Sequence, residues 1–181
     1  MSNSYTINNQ EGLYFVTCTV VNWVDVFTRQ RYRDMLLESL EHCQQQKGLI
    51  IYSWCIMSNH MHMIVRANNG DLSGILRDFK KYTSKKIIES IKSASESRKE
   101  WMVNIFSKAG KENSNNKNYQ FWKQDNHAEE LLTNQFTKQK LDYIHHNPVV
   151  AGIVDEAELY LYSSARDYSG RKGLLHIEFV G

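Results

Sequence analysis

The sequence lacks a long apolar run, an apolar leader and paired cysteines. No stretch of about 18 apolar residues occurs, so no transmembrane helix is expected. Residues 1–10 are polar and contain no apolar core of a signal peptide. The three cysteines are odd in number, widely spaced and without a CxxC pair, which argues against a zinc ribbon or a redox motif. We therefore expect a cytoplasmic protein with buried, reduced thiols and no membrane contact.

Positive charge is concentrated in the middle of the chain. Between Asp71 and Lys123, twelve Lys and Arg residues stand against six Asp and Glu residues, whereas the whole chain has a net charge of +2. A local basic segment on a nearly neutral chain indicates an anionic partner, and a solvated helix face is the plain alternative.

Length and composition fit a single globular domain over residues 1–181. The chain has 41% hydrophobic and 23% charged residues, which is enough to bury a core. No internal repeat or domain boundary is visible. Residues 92–118 are rich in Ser, Asn, Lys and Glu, with one apolar island at 101–106. We predict that most of this segment is a mobile excursion outside the core.

Hydrophobic periodicity predicts the element order β-α-β-β-α-(β)-α. The predicted strands cover residues 13–21, 49–57, 60–67 and 119–123, and the predicted helices cover 29–47, 72–91 and 129–146. Only Ser58 and Asn59 separate the second and third strands, which favours a tight antiparallel hairpin. Asn147-Pro148 is expected to end the last helix. This order predicts an α+β fold of the ferredoxin-like type, with an antiparallel sheet, helices packed on one face and the other face free to hold a site.

The triplet His60-Met61-His62 is the most informative short pattern. On a strand, residues i and i+2 point to the same face, so the two imidazoles stand about 6–7 Å apart and can reach one ion. They are the polar residues of an otherwise apolar strand, and such residues reduce stability unless they are solvated or engaged. The triplet therefore predicts a divalent metal site.

Tyr82 is the predicted nucleophile. It lies at the border of the apolar stripe of the helix predicted over 72–91, next to Lys81 and one turn before Lys85 and Lys86. Ammonium groups favour the phenolate and bind phosphate, which suits attack on a phosphodiester. The alternative is a surface tyrosine with a packed ring. Tyr143 is assigned to the packing stripe of the last helix instead.

Four segments resemble the single-tyrosine HUH transposases, and the REP-associated tyrosine transposases in particular. They are residues 57–65 (MSNHMHMIV), 77–83 (RDFKKYT), 143–152 (YIHHNPVVAG) and 160–165 (YLYSSA). The resemblance implies a ferredoxin-like fold and a metal-dependent nuclease and strand transferase for single-stranded, hairpin-forming DNA. It implies that His60 and His62 hold Mg²⁺ or Mn²⁺ and that Tyr82 forms a 5′-phosphotyrosine. A homodimer is part of this expectation.

Two positions depart from the family's pattern. Ser58 stands where proline is common. Lys85 and Lys86 occupy the turn after Tyr82, where related enzymes often carry a Gln or Asn as a third metal ligand, and a protonated lysine cannot coordinate. Asp78, a water or a residue from elsewhere is then left as the third ligand.

The basic middle of the chain supplies the predicted DNA contacts, with an aromatic residue as a stacking platform, for which core packing is the alternative. They are Arg77, Lys80, Lys81, Lys85, Lys86, Trp122 and Lys123. Two alternatives to the transposase hypothesis stay open. One is a non-catalytic regulator that binds single-stranded nucleic acid on the same fold, and the other is a metal hydrolase that uses an activated water.

Overall fold

The computed structural model describes residues 6–116 and 118–181. The strands are β1 (Tyr14–Thr19), β2 (Leu49–Ile56), β3 (His60–Ala67) and β4 (Glu129–Glu130), and the helices are α1 (Gln30–Lys47), α2 (Leu72–Ser93), α3 (Lys99–Glu112), α4 (Asn134–Val150) and α5 (Ala165–Tyr168). Within the described residues the strands form one antiparallel sheet in the order β2-β3-β1-β4. No helix in this part of the chain is both long and apolar enough to cross a membrane.

The ends of the first two helices follow from their terminal residues. Helix α1 ends at Gly48, whose positive φ of 74° is the left-handed conformation that stops a helix. Helix α2 begins after Asp71, whose carboxylate accepts a hydrogen bond of 3.0 Å from the backbone N–H of Gly74. Both boundaries agree with the sequence pattern to within two residues.

Alternation along β3 gives the two faces of the sheet different chemistry. His60 and His62 project to one face, and Met61 and Met63 project to the other, where both are fully buried. Helices α1 and α2 pack against each other and cover the methionine face.

Contacts assign α2 and α4 to opposite faces. Cys18 lies on the methionine face, and its thiol shares the side-chain oxygen of Asn126 with the ammonium of Lys80 on α2. Ser53 lies on the histidine face of β2, and its hydroxyl is 3.2 Å from His145 Nε2 on α4. The α+β fold with its antiparallel sheet is confirmed, with α1 and α2 on one face and α4 over part of the other.

The predicted strand at 119–123 was wrong. Phe121 and Trp122 are both buried, so the segment does not alternate between core and solvent, and Trp122 makes only an isolated bridge with Val20. The fourth strand is instead the two-residue β4, which pairs with β1.

The predicted bounds of the last helix were also wrong. Helix α4 begins after Thr133, whose hydroxyl accepts from Phe136 N, and it contains Pro148. Proline removes only its own N–H donor here. The amide of Ala151 still donates to the Asn147 carbonyl at 3.0 Å, so the helix continues past the proline.

The prediction that residues 92–118 lie outside the core was wrong for α3. Met102 and Phe106 are fully buried one turn apart, and the Phe106 ring is 5.2 Å from that of Phe121. A side chain at Gly110 would meet the Tyr119 backbone at 2.7 Å, so the glycine allows the close approach. Two residues of the apolar island, Met102 and Phe106, thus form the buried face of an amphipathic helix.

Candidate functional site

His60 and His62 form the centre of the site, and their predicted common face is confirmed. Their ring centroids are 4.7 Å apart, with an angle of 73° between the planes. His62 is buried and His60 is half-buried. Phe15 stacks on His62 with 5.4 Å between ring centroids, which fixes that ring on the sheet.

Hydrogen bonds orient both imidazoles. His60 Nδ1 is 2.7 Å from Asn59 Oδ1, while Asn59 Nδ2 donates to the Trp23 carbonyl. A carboxamide oxygen only accepts, so His60 carries its proton on Nδ1 and keeps a lone pair on Nε2. His62 Nδ1 is 2.8 Å from Thr17 Oγ1. Such partners of the far nitrogen are typical of metal-binding histidines.

Burial keeps these two imidazoles neutral. It lowers the pKa of His60, and it lowers the pKa of His62 to about 3, with further lowering from the charges of His60, Lys140 and His127. Neutral imidazole is the form that binds a metal ion.

Tyr143 lies beside the histidine pair, although its sequence position was assigned to packing. Its ring centroid is 5.2 Å from that of His62, with 69° between the planes, and 6.0 Å from that of Phe15. Half of the residue is exposed to solvent. Two sequence signals point to it: its place as the first residue of the segment YIHHNPVVAG, and an asparagine one turn later, at the spacing expected for a third metal ligand.

Asn147 follows Tyr143 by one helical turn and also reaches the site. Its Nδ2 is 3.5 Å from His62 Nε2, and a half-turn of the carboxamide presents the oxygen at that place. Residues 6–116 and 118–181 contain no cluster of three His, Cys, Asp or Glu side chains suited to a metal ion. Because it reaches His62 Nε2, the carboxamide is the candidate third ligand, one turn after Tyr143 rather than after Tyr82.

Tyr82 does not join the histidine pair. It lies on α2, on the methionine face, so the sheet stands between its phenol and the imidazoles of one chain. It is 56% exposed and lines a groove of about 480 Å³ between α1 and α2, with Lys86 Nζ 5.7 Å from its ring centre. The prediction of Tyr82 as the nucleophile beside these rings was wrong for a single copy of the chain.

Asp78 is likewise remote from the pair. Its carboxylate is 2.7 Å from Lys47 Nζ and 3.2 Å from Arg77 Nε. These hydrogen bonds lower its pKa. Asp78 lines the same groove as Tyr82, so the structure does not bring it to the histidine pair.

Two of the residues predicted to contact DNA make contacts within the protein instead. The Lys80 ammonium donates to the Lys123 carbonyl at 2.6 Å and to Asn126 Oδ1 at 3.0 Å, which holds the loop at 123–126. Trp122 is buried and donates from Nε1 to Thr83 Oγ1 at 3.0 Å, so its ring is not a platform for bases.

The other basic residues remain at the surface. Lys86 Nζ is paired with Glu38 at 2.6 Å. A groove of about 590 Å³ between α2 and residues 119–126 is lined by basic residues that include Arg77, Lys81, Lys85 and Lys123. This groove offers the positive surface that the charge distribution predicts.

Comparison with known proteins gives matches to a family model and to solved structures. A family model described as "Transposase IS200 like" matches residues 11–120, which include the histidine pair and Tyr82 and end before Tyr143. A solved structure, described as the "REP associates tyrosine transposase bound to a REP hairpin", has a TM-score of 0.66 at 20% identity, over 100% of this chain and 92% of that chain. At this identity the likeness is one of fold. No curated protein sequence matches the chain.

Proposed function

Because the chain belongs to the family of IS200-like transposases, we propose that it cuts and rejoins single-stranded DNA with a divalent metal ion and Tyr143. The observation that carries the proposal is the 5.2 Å separation between the ring centroids of Tyr143 and His62 on the open part of one sheet face. A nucleophile must lie within reach of the group that activates the phosphate.

The donor set fits Mg²⁺ or Mn²⁺. His60 and His62 offer neutral imidazole nitrogens whose other nitrogens are held by Asn59 and Thr17, and Asn147 offers a carboxamide. Imidazole, amide oxygen and water together suit a hard or borderline divalent ion. When bound, such an ion polarises the scissile phosphate and offsets charge on the leaving oxygen.

The proposed reaction conserves the energy of the phosphodiester. The Tyr143 hydroxyl oxygen forms a bond to phosphorus and releases its proton to solvent. The bond from phosphorus to the 3′ oxygen breaks, and that oxygen takes up a proton and leaves as a 3′-OH. A 5′-phosphotyrosine remains, and attack by another 3′-OH reverses the step and joins the strands. Lys140 Nζ lies 6.0 Å from the Tyr143 ring centre, but its charge is paired with the carboxylate of Glu129 at 2.6 Å.

We infer hairpin-forming single-stranded DNA as the partner. The solved relative is bound to a REP hairpin, and the basic groove along α2 suits a phosphate backbone. The non-catalytic alternative was motivated by lysines in the turn after Tyr82. With Tyr143 as the nucleophile, the turn that follows contains Asn147, so the lysines after Tyr82 no longer argue against catalysis.

A strand-labelled cleavage assay tests the proposal. The protein is incubated with a hairpin oligonucleotide and Mn²⁺ and then separated under denaturing conditions. A 3′-end label should travel with the protein, whereas a 5′-end label should leave on a fragment with a free 3′-OH. Tyr143→Phe should abolish the adduct, and the matched variant Tyr82→Phe should retain it. An adduct that survives Tyr143→Phe and vanishes in Tyr82→Phe would reverse the assignment.

A further inference from the structure

Trp23 is a large aromatic residue exposed at the edge of the histidine pair. It ends the short 3₁₀ turn Val21–Trp23 that follows β1. Its ring centroid is 6.2 Å from that of His60, with 81° between the planes, yet 57% of the residue is open to solvent. Trp54 and Trp122 bury nearly all of their surface in the core, whereas Trp23 leaves its indole open beside a candidate metal ligand.

The backbone that presents this indole is strained. Asn22 and Trp23 are adjacent residues with φ of 52° and 55°, a conformation that is rare for a bulky side chain. Strain of this kind persists only where surrounding contacts hold it, and it is concentrated at functional sites. Asn59 Nδ2 holds the Trp23 carbonyl at 3.2 Å.

The same Asn59 side chain orients His60, since its oxygen bonds His60 Nδ1 at 2.7 Å. One carboxamide therefore bonds both the backbone carbonyl of Trp23 and a ligand of the proposed metal ion. The backbone of Trp23 thus has a defined position relative to His60.

Lys123 adds a cation to this arrangement. Its Nζ lies 4.1 Å from the centre of the indole and covers one face of the ring. Lys123 also lines the basic groove along α2. A strand that runs from this groove to His60 therefore meets the Lys123 ammonium and the Trp23 ring together. Proteins that bind single strands combine such a cation with an aromatic platform.

We propose that Trp23 stacks on one unpaired nucleobase that flanks the scissile phosphate, while Lys123 binds a neighbouring phosphate. This inference rests on the proposed function, since it assumes a DNA strand at the histidine pair. It makes Trp23 a positioning residue, which fixes the register of the strand and does not touch the reacting atoms.

Binding measured without cleavage tests the inference. Every variant carries Tyr143→Phe, so that the DNA stays intact, and affinity for a hairpin with a single-stranded flank is read by fluorescence anisotropy. Trp23→Ala should bind about ten-fold more weakly, and Trp23→Phe, which keeps a ring, should bind within about three-fold of the parent. Trp101→Ala is the matched control, because Trp101 is 51% exposed on α3, and its affinity should not change.

A scan with single abasic sites locates the stacked base. With Trp23 present, one abasic position next to the scissile phosphate should weaken binding, and the same position should cause no further loss in Trp23→Ala. The inference about Trp23 is overturned if Trp23→Ala and Trp101→Ala bind DNA with equal affinity. It is also overturned if the abasic site weakens binding as much in Trp23→Ala as with Trp23 present. Neither result affects the proposed function. Failure of every variant to bind DNA overturns the proposed function as well. Each variant must give the same circular dichroism spectrum as the parent. If Trp23→Ala misfolds, the affinity of Trp23→Phe and the abasic scan test the stacking role instead.

Discussion

The carboxamide of Asn147 lies 3.5 Å from Nε2 of His62, although 85 residues separate them in the chain. Helix α4 creates this approach, because it crosses the histidine face of the sheet and carries Tyr143 one turn earlier. One helix therefore supplies both the candidate nucleophile and the candidate third ligand.

Removal of this carboxamide should weaken metal use. We expect Asn147→Ala to require at least about ten-fold more Mn²⁺ for half-maximal DNA cleavage, because one ligand is lost. The measurement is a Mn²⁺ titration of the cleavage rate. Asn134→Ala, an exposed asparagine of the same helix, is the control. An unchanged Mn²⁺ requirement in Asn147→Ala would show that the carboxamide does not contact the ion.

Loss of the Asn59 side chain should loosen His60. We expect Asn59→Ala to lower Mn²⁺ affinity by about 10- to 100-fold, the usual effect of deleting the hydrogen-bond partner of a metal-binding histidine. Calorimetric titration of the intact protein with Mn²⁺ gives the affinity. The exposed Asn69, beyond the other end of β3, supplies the comparison variant Asn69→Ala, which should bind normally. Equal affinities for the two variants would contradict the orienting role.

Substitutions of the adjacent residues Lys80 and Lys81 should have different effects, one on stability and the other on DNA binding. Lys80→Ala leaves the Lys123 carbonyl without its donor and takes the ammonium away from Asn126 Oδ1, so we expect the free energy of unfolding in urea to fall by about 1–3 kcal/mol. Lys81→Ala should leave unfolding unchanged and weaken DNA binding, with a smaller dependence of affinity on salt. The reverse pattern would return Lys80 to the DNA-binding surface.

The buried face of α3 should contribute to global stability. Phe106→Ala removes a fully buried ring, and we expect it to lower the free energy of unfolding by about 3–5 kcal/mol. Urea denaturation followed by circular dichroism measures this. Asn104→Ala, on the exposed side of the same helix, should change it by less than about 0.5 kcal/mol. A small effect of Phe106→Ala would restore the view of this segment as an excursion outside the core.

The sequence was sufficient for the three long strands of the sheet and for the placement of the histidines. Strand alternation and the two-residue turn at Ser58 and Asn59 set which β3 side chains share a face, and these are local properties. Caps such as Asp71 and Gly48 set the helix ends in the same way.

Hydrophobic periodicity could not decide between Tyr82 and Tyr143, although the asparagine one turn after Tyr143 favoured that residue. Both tyrosines lie near an apolar stripe, and periodicity does not tell which face of the sheet a helix will cover. Helix α2 returns to the methionine face, whereas α4 crosses to the histidine face, so tertiary packing alone brings Tyr143 to the site. Residues on the apolar stripe of α4 were expected to be buried, yet Tyr143 is half exposed beside the imidazoles.

The internal contacts of Trp122 and Lys80 could not be predicted from the sequence pattern either. Both lie in or next to a basic, polar stretch that favours a solvated surface. Trp122 is instead buried against Thr83, and Lys80 donates to loop carbonyls. These contacts join residues about 40 positions apart, so no short window of sequence reports them.

The most direct test is the identity of the tyrosine that becomes linked to DNA. The covalent adduct formed with Mn²⁺ is trimmed with a nuclease, digested with a protease and mapped by mass spectrometry. We predict that the residual nucleotide is attached to the peptide that contains Tyr143. Attachment to the peptide that contains Tyr82 would contradict the proposed site.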